Sequence, residues 1–549
     1  MTWLDGGDMI ARVMKQEGTE LLFTLSGGHI QNIYDGCIDE GIRVIDTRHE
    51  QAAAHAADGY ARTTGRVGVA AVTAGPGVTD ALTGVANAYR AGSPMILIGG
   101  AAPLRTSGRG ALQEMEQVEI FRPVTKWATS IKTTERIAET MADAYRIALS
   151  GRPGPVFVEV PSDILFGRIE EEDFTLPVNY RHAVRSPADT GAIERAVEAI
   201  KGGKRLAMMA GTPVFWSRAN KELQEFVELV GTPIYTNEMA RGAIPWEHPL
   251  KGNWARRTAL GGADVIIVFG SPIDFRLRFG QAPLFNPEAT VIVYDYDEET
   301  IGKNRPVDIA LTGDAKTVLQ QLIDAIGDPL ERDEQWLTEL SDEEQRGREL
   351  RQPLLESDAV PIHPLRLCAE IAKFVDDDTI IVGDGGDIVA NSSKYLPINR
   401  MGQWFDPGPL GTLGVGTGFC MAIKATHPEK RILMVNGDGA FGLNGFEFDT
   451  LVRHDLPVVS VVGNDRQWGQ IAIGQVRQYG EERAIATKLA DNARYDKVVE
   501  ALGGYGEYVT EPDEIGPAIQ RAFDSGLPAC VNVIMDARPP GVEGGYSFM

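Results

Sequence analysis

The sequence predicts an α/β protein built from three doubly wound parallel-sheet domains. Short apolar runs alternate with amphipathic helical patterns along the whole chain, as in parallel sheets covered by helices. Glycine is frequent, at 61 residues, and falls mostly at strand ends, where strand-to-helix loops approach ligands closely. A length of 549 residues exceeds what one core can organise, so about three domains are expected.

The first domain is read over residues 1–165, with strands at "GIRVID", "GVAAVTAG", "SPMILIGG" and "GPVFVEVP". A polar, acidic stretch over 166–190 reads as a linker. The second domain, 190–328, carries "RLAMMAG", "ADVIIVFGSP" and "ATVIVYDYD", and a charged helix and linker, "DPLERDEQWLTELSDEEQRGRELRQ", follow it. The third domain, 360–549, carries "TIIVGDGGD", "RILMVNGDGAFG", "LPVVSVVGND" and "PACVNVIMD". The outer domains end alike: "SGRPGPVFVEVP" and "SGLPACVNVIMD" both read Ser-Gly-x-Pro before a buried strand. This echo suggests one fold used twice, around a different central domain.

A net charge of −24 opposes nucleic acid or an anionic membrane as partner. Small anions remain open, held by arginines, helix N-termini or a metal ion. No apolar run reaches the ~18–20 residues of a membrane span, and "MTWLDGGDMIARVMKQEG" reads as an amphipathic helix without secretory or transit character. Cys37, Cys368, Cys420 and Cys530 are scattered without metal-ligand spacing, so no disulfide framework is expected. The chain reads as cytoplasmic.

Two motifs carry the chemistry. In "DTRHEQAAAHAADGYAR" a carboxylate, Glu50, sits where a strand turns into an alanine-rich helix. Such a residue ordinarily serves the helix N-terminus. Gly-Asp-Gly occurs at 383–385 and again at 437–439. The second copy follows the apolar strand Ile432 to Val435, with a helix expected from about Gly445. The next strand ends in Asn464-Asp465. Asp438 and Asp465 at neighbouring carboxyl ends make a site for a hard divalent cation, and Gly437, Gly439 and Ala440 let backbone N–H groups reach phosphates. The first copy, with Gly386 and Asp387 just beyond it, reads as a backbone-approach loop beside the same ligand. "PGPLGTLGVGTG" is a flexible loop, or one that wraps a flat ligand with Leu413 as an apolar wedge.

Together these motifs resemble the thiamine diphosphate-dependent, acetolactate synthase-like superfamily. "RHEQAAAHAADGYARTTG", "TAGPGVTD", "GALQEMEQ" and "SGRPGPVFVEVPSD" match its pyrimidine-binding domain; "GDGAFGLNGFEFDTLVRHDLPVVSVVGND" matches its diphosphate-binding domain. The resemblance implies that Glu50 hydrogen-bonds the cofactor's pyrimidine nitrogen and so promotes proton loss from the thiazolium carbon. It further implies that Gly75, Pro76 and Gly77 face the cofactor, Gln113 faces the substrate and Leu413 folds the cofactor. Mg²⁺ would rest on Asp438, Asp465 and the Gln467 carbonyl, in a site shared between subunits of a homodimer or homotetramer. Many relatives have Asn where this chain has Asp465; the extra charge favours a divalent cation.

"IRVIDTRHE", "GGHI", "FRPVTKW", "MARG", "DFRLRFG", "GDGGDIVA" and "GNDRQWGQI" look most like the 2-hydroxyacyl-CoA lyases of this superfamily. That implies reversible cleavage of the C1–C2 bond to formyl-CoA and an aldehyde or ketone. The alternatives are acetolactate synthase-type carboligation of 2-oxo acids and oxalyl-CoA decarboxylase-like decarboxylation. In the central domain, Arg256, Arg257, Arg276 and Arg278 lie where they can pair with nucleotide phosphates, and Asp295 and Asp314 can meet a ribose or adenine. Coenzyme A, ADP and FAD all fit this pattern, as do solvated ion pairs. His29, in "LSGGHIQNIYD", is a candidate acid–base for a substrate hydroxyl. In the tail "RPPGVEGGYSFM", Tyr546 and Phe548 are candidates for a lid that excludes water.

Overall fold

The structure is a computed structural model that describes residues 2–182 and 184–539. It contains three sheets of parallel strands. The N-terminal sheet takes, in chain order, Leu21–Leu25, Arg43–Asp46, Gly68–Val72, Met95–Ala101, Trp127–Ser130 and Val156–Pro161. The C-terminal sheet takes Thr379–Asp384, Trp404–Phe405, Arg431–Gly437, Val459–Asn464, Tyr505–Val509 and Ala529–Ile534. With the strands of each sheet numbered in chain order, both run 2-1-3-4-6-5 in space. The echoed Ser-Gly-x-Pro segments lead into the sixth strand of each, so the repeat seen in the sequence is a repeat of topology. The central sheet, Leu206–Ala210, Ile234–Thr236, Val265–Phe269, Thr290–Tyr294 and Ile309–Leu311, runs 2-1-3-4-5. Every residue of Gly68–Val72, Met95–Ala101, Leu206–Ala210 and Val265–Phe269 is buried, as strands covered by helices on both faces must be.

Several short strands depart from the sequence reading. Trp127–Ser130 and Tyr505–Val509 are mixed in polarity and only partly buried, and Ile234–Thr236, Ile309–Leu311 and Trp404–Phe405 hold two or three residues each. Such segments carry little periodic signal. The stretch read as a linker opens with Arg168–Glu170, paired antiparallel to Trp3–Asp5. The helix after the second Gly-Asp-Gly begins at Asp438, not near Gly445, because Gly437 already serves as its N-cap. The charged helix is present over Glu334–Leu355.

Among the described residues, one compact unit gathers 2–182 with Ile381–Val389 and Asp406–Ala537, and a second gathers 184–380, Ala390–Phe405 and 538–539. In the first, the alanine-rich helix Glu50–Thr64 lies unusually close to its neighbours. A Cβ on Gly68 would fall 1.8 Å from the Ala57 carbonyl, and one on Gly418 would fall 2.9 Å from the Ala52 carbonyl. Alanine and glycine are the only side chains thin enough for such approaches. Arg62 is buried on this helix, with two guanidinium nitrogens on Asp58 at 2.7 and 2.8 Å, while Asn87 donates to the same carboxylate. All four cysteines are buried and unpaired by disulfides, and burial raises the pKa of each thiol. Among the described residues, no helix is long and apolar enough to cross a membrane.

Candidate active site

The strand Arg43–Asp46 runs through a three-residue turn into the helix that starts at Glu50. The capping work at this junction is done by other side chains. His49 is the N-cap, and its Nδ1 accepts from Gln51 N–H. Glu447, almost fully buried, accepts the Arg48 N–H with both oxygens, at 2.9 and 3.1 Å. Burial pushes the Glu447 carboxyl up to about 7, against the pull of Thr450 and the backbone N–H groups of Arg48 and His49. Glu50 itself is only 7% exposed. Burial raises its pKa and the nearby Asp80 adds to that, while its own N–H and His49 pull the other way.

The turn Gly75–Pro76–Gly77 lies against this carboxyl. A Cβ on Gly77 would sit 3.2 Å from Glu50 Oε1 and 2.9 Å from Thr73 Cγ2. Thr73 Oγ1 lies 3.2 Å from His29 Nδ1, so His29, Thr73, Gly77 and Glu50 form one continuous patch. Burial lowers the His29 pKa, which keeps the imidazole neutral at pH 7. On the other side of the turn, Gln113 has φ +62 and its carbonyl stands 2.9 Å from where a Gly75 Cβ would be. The Glu114 carboxylate staples that loop by accepting from the N–H groups of Gly108, Gly110 and Ala111. These bonds hold its pKa below the usual range, Ala111's first. Gln113 also borders a polar cleft of about 420 Å³ with Ser107, Ser130, Lys132 and Glu159.

In the C-terminal sheet the strands Arg431–Gly437 and Val459–Asn464 pair in parallel, Gly437 opposite Gly463. Asp438 and Asp465 follow at adjacent carboxyl ends, as the sequence indicated. Asp438 accepts from Gly439 N–H at 2.9 Å and Arg466 N–H at 2.8 Å. Burial raises the pKa of both carboxyls, and Asp438 and Asp387 push Asp465 further. A buried and a half-buried carboxylate, mutually repelling beside a helix N-terminus, fit a hard divalent cation. Among the described residues no group of three His, Cys, Asp or Glu side chains forms a metal cage. A hard cation that completes its shell with phosphate and water needs only one or two carboxylates. Gln467 extends its side chain to the Ala537 carbonyl at 2.8 Å. Asn464 is engaged with Asn532 in the sheet.

The first Gly-Asp-Gly has a job the sequence did not disclose. Asp384, fully buried, accepts from Gly414 N–H at 3.0 Å and Gly416 N–H at 2.8 Å. Asn444 donates to the Gly414 carbonyl at 2.6 Å. The turn bearing Leu413 is thereby clamped from both sides. Gly386 packs against Gln470, since a Cβ there would meet its Oε1 at 2.9 Å. Asp387 opens the helix Asp387–Tyr395, and burial raises its pKa.

The central-domain candidates do not converge. Arg276 is half-buried between Glu238 and Asp274; partial burial opposes its charge, and the two carboxylates overcome this and raise its pKa. Asp314 caps the helix Ala315–Ile326 and pairs with Arg185. Arg256 opens the helix Arg256–Gly262, Arg257 is exposed, and Arg278 sits in a left-handed turn. Asp295 borders a small cleft, with Ser271, Lys303 and Arg305. Tyr546 and Phe548 lie outside the described residues.

Three family profiles match the chain in order: the N-terminal TPP binding domain of thiamine pyrophosphate enzymes over residues 4–120, their central domain over 193–322, and their C-terminal TPP binding domain over 384–533. The chain belongs to the thiamine pyrophosphate enzyme family. Two kinds of name occur among its relatives within that family. It is 40% identical to the acetolactate synthase large subunit of Mycobacterium tuberculosis, over 97% of this chain and 96% of that protein. It is 34% identical to 2-hydroxyacyl-CoA lyase 2 of Caenorhabditis elegans, over 96% of this chain and 87% of that protein. The same identity holds for the Homo sapiens protein of that name, over 96% and 90%.

Proposed function

We propose that this thiamine diphosphate enzyme is a 2-hydroxyacyl-CoA lyase, releasing formyl-CoA and an aldehyde or ketone by reversible cleavage of the C1–C2 bond. The observation that carries this reading is the neutral His29, joined through Thr73 to the turn that touches Glu50. A 2-hydroxy substrate must give up its hydroxyl proton as the carbon–carbon bond breaks, and a neutral imidazole is the side chain suited to take it near pH 7. Nδ1 of His29 faces Thr73, leaving Nε2 for the substrate.

Thiamine diphosphate, when bound, supplies a carbon nucleophile and an electron sink. Glu50 would hold a proton at the cofactor's aminopyrimidine, a task favoured by burial of its carboxyl. Gly75, Pro76 and Gly77 would set the distance between that ring and Glu50. Leu413, next to the Gly414 that Asp384 and Asn444 hold, would give the cofactor an apolar contact. Asp438 and Asp465, with the Gln467 carbonyl, would bind Mg²⁺, while the N–H groups at Gly439 and Ala440 orient the diphosphate. Gln113 would orient the substrate, and the site would be completed in a homodimer or homotetramer. The cleft beside Asp295 is the place in the central domain for a nucleotide moiety, as in coenzyme A, ADP or FAD.

A second reading, carboligation of 2-oxo acids, is favoured by the 40% identity to an acetolactate synthase over nearly the full length of both chains. One assay separates the two. Purified protein with thiamine diphosphate and Mg²⁺ is given a 2-hydroxyacyl-CoA or pyruvate, and products are read by mass spectrometry. Formyl-CoA from the first, lowered roughly a hundredfold in His29→Ala, supports the lyase. Acetolactate from pyruvate with no formyl-CoA from the thioester rejects it.

A further inference from the structure

One fully buried amide lies at the centre of the N-terminal site, and neither reading of the reaction uses it. Gln117 opens the short helix Gln117–Phe121 and is 1% exposed. Its Oε1 accepts from Gly75 N–H at 2.6 Å, and its Nε2 donates to the Gly100 carbonyl at 3.0 Å and to Glu159 Oε2 at 2.9 Å. Both donors are used and the carbonyl is engaged, so each polar atom of the amide has a partner. The three partners come from three places: the turn after the strand Gly68–Val72, the end of Met95–Ala101, and the strand Val156–Pro161. All lie toward the carboxyl ends of parallel strands, the ligand-binding end of a doubly wound sheet.

Gly75 is where this matters. It stands at φ +63 and caps the helix Pro76–Ala91 without a side chain of its own. Its carbonyl is taken by Thr79 N–H within that helix, which leaves its N–H to Gln117. The turn is wedged: a Cβ on Gly75 would fall 2.9 Å from the Gln113 carbonyl, and one on Gly77 would fall 3.2 Å from Glu50 Oε1. A shift of the turn therefore changes the positions of Gln113 and Glu50 together.

We infer that Gln117 is a positioning residue: through the Gly75 N–H it fixes the Gly75–Gly77 turn against Glu50 and Gln113, with Glu159 holding its amide in register. The inference rests on the reading of that turn as the cofactor side of the site. Leu at this position matches the shape but leaves Gly75 N–H, the Gly100 carbonyl and Glu159 without their partner. Glu keeps the acceptor for Gly75 and places a second carboxylate against Glu159. Adding Glu159→Gln relieves that repulsion and returns a donor to the pair.

The test compares wild type, Gln117→Leu, Gln117→Glu and the double variant Gln117→Glu/Glu159→Gln. Amide hydrogen exchange of residues 74–80 is read in the cofactor-free protein, and kcat and KM in the loaded enzyme. In Gln117→Leu the turn exchanges roughly tenfold faster or more, while the strands around it keep their protection. Turnover falls roughly tenfold to a hundredfold in kcat, with KM changed by less than about threefold. The double variant recovers most of both losses and Gln117→Glu alone does not. Unchanged exchange at the turn in Gln117→Leu overturns the inference, as does failure of Glu159→Gln to rescue. If Gln117→Leu does not fold, the single and double Glu variants decide by the same criteria. If wild type cleaves no hydroxyacyl-CoA and joins no 2-oxo acid, the proposed function fails, and the exchange comparison still judges Gln117.

Discussion

Glu50 and His49 stand side by side at one helix N-terminus: His49 caps it by accepting Gln51 N–H, while the Glu50 carboxyl turns back on its own N–H. With Glu447 holding the Arg48 N–H, the Glu50 carboxyl is buried without being needed for the helix. Glu50→Gln should therefore leave folding and thiamine diphosphate binding in place and lower turnover roughly a hundredfold to ten-thousandfold. Titration calorimetry beside steady-state rates checks this, and wild-type turnover would remove Glu50 from the chemistry. Asp384 yields a pH prediction. Burial pushes its carboxyl up to about 6, although Gly416 and Gly414 N–H groups pull it back. A folded pKa above the unfolded value of 3.8 means the native state binds the extra proton. Its stabilising contribution is full below about pH 4 and is lost as pH rises through about 6, a change on the order of 3 kcal/mol. Wild type should thus lose stability relative to Asp384→Asn between those pH values. Melting curves of both proteins at pH 4.5, 5.5 and 7 should show a gap that shifts with pH; a constant gap places the titration elsewhere.

Close helix packing presents the Glu50 end of the alanine-rich helix. The helices Glu50–Thr64 and Gly416–Thr426 touch through Gly59 and Phe419 and through Gly418 and Ala52. At Gly418 a Cβ would meet His55 Cβ at 2.8 Å, the Ala52 carbonyl at 2.9 Å and Ala56 N at 3.1 Å. Two of those atoms are backbone and cannot swing aside. Gly418→Ala should cost roughly 1–3 kcal/mol, and Gly418→Val more, by overpacking. Differential scanning fluorimetry reads this as a stepwise fall in melting temperature, and an unmoved transition in the valine variant would deny the close crossing. The alanine run was plain in the sequence, but its partner was not, because a contact between residues 52 and 418 leaves no local trace. Strands of five to seven apolar residues were legible for the same reason that two-residue strands were not: burial on both faces writes a long hydrophobic run, and a short edge does not. The misplaced start of the helix at 438 has a similar origin, since glycines that look like a loop serve there as a cap and a close packing surface.

Across the molecule, what was legible followed from spacing. Asp438 and Asp465 were paired correctly because a strand, a helix and a strand fix which ends become neighbours, and the echoed Ser-Gly-x-Pro marked the same strand in two sheets of one topology. The supporting residues stayed hidden: Glu447, Asp384 and Gln117 act on backbone groups far away in sequence, and a lone carboxylate or amide announces no such role. Among the six central-domain candidates, two have local partners within the fold. Charges at strand ends suggested a nucleotide, while the structure gives Arg276 to two carboxylates and Asp314 to a helix cap.

The four buried thiols, dispersed over residues 37 to 530, give the intact protein a silent chemical clock. An aromatic disulfide reagent should stay colourless in its presence under native conditions, because burial withholds the thiolate that attacks. Colour would then develop only as segments open, and the order in which alkylated peptides emerge would time the unravelling of each region with no label introduced. Rapid stoichiometric colour from the native protein would contradict the enclosure of these side chains.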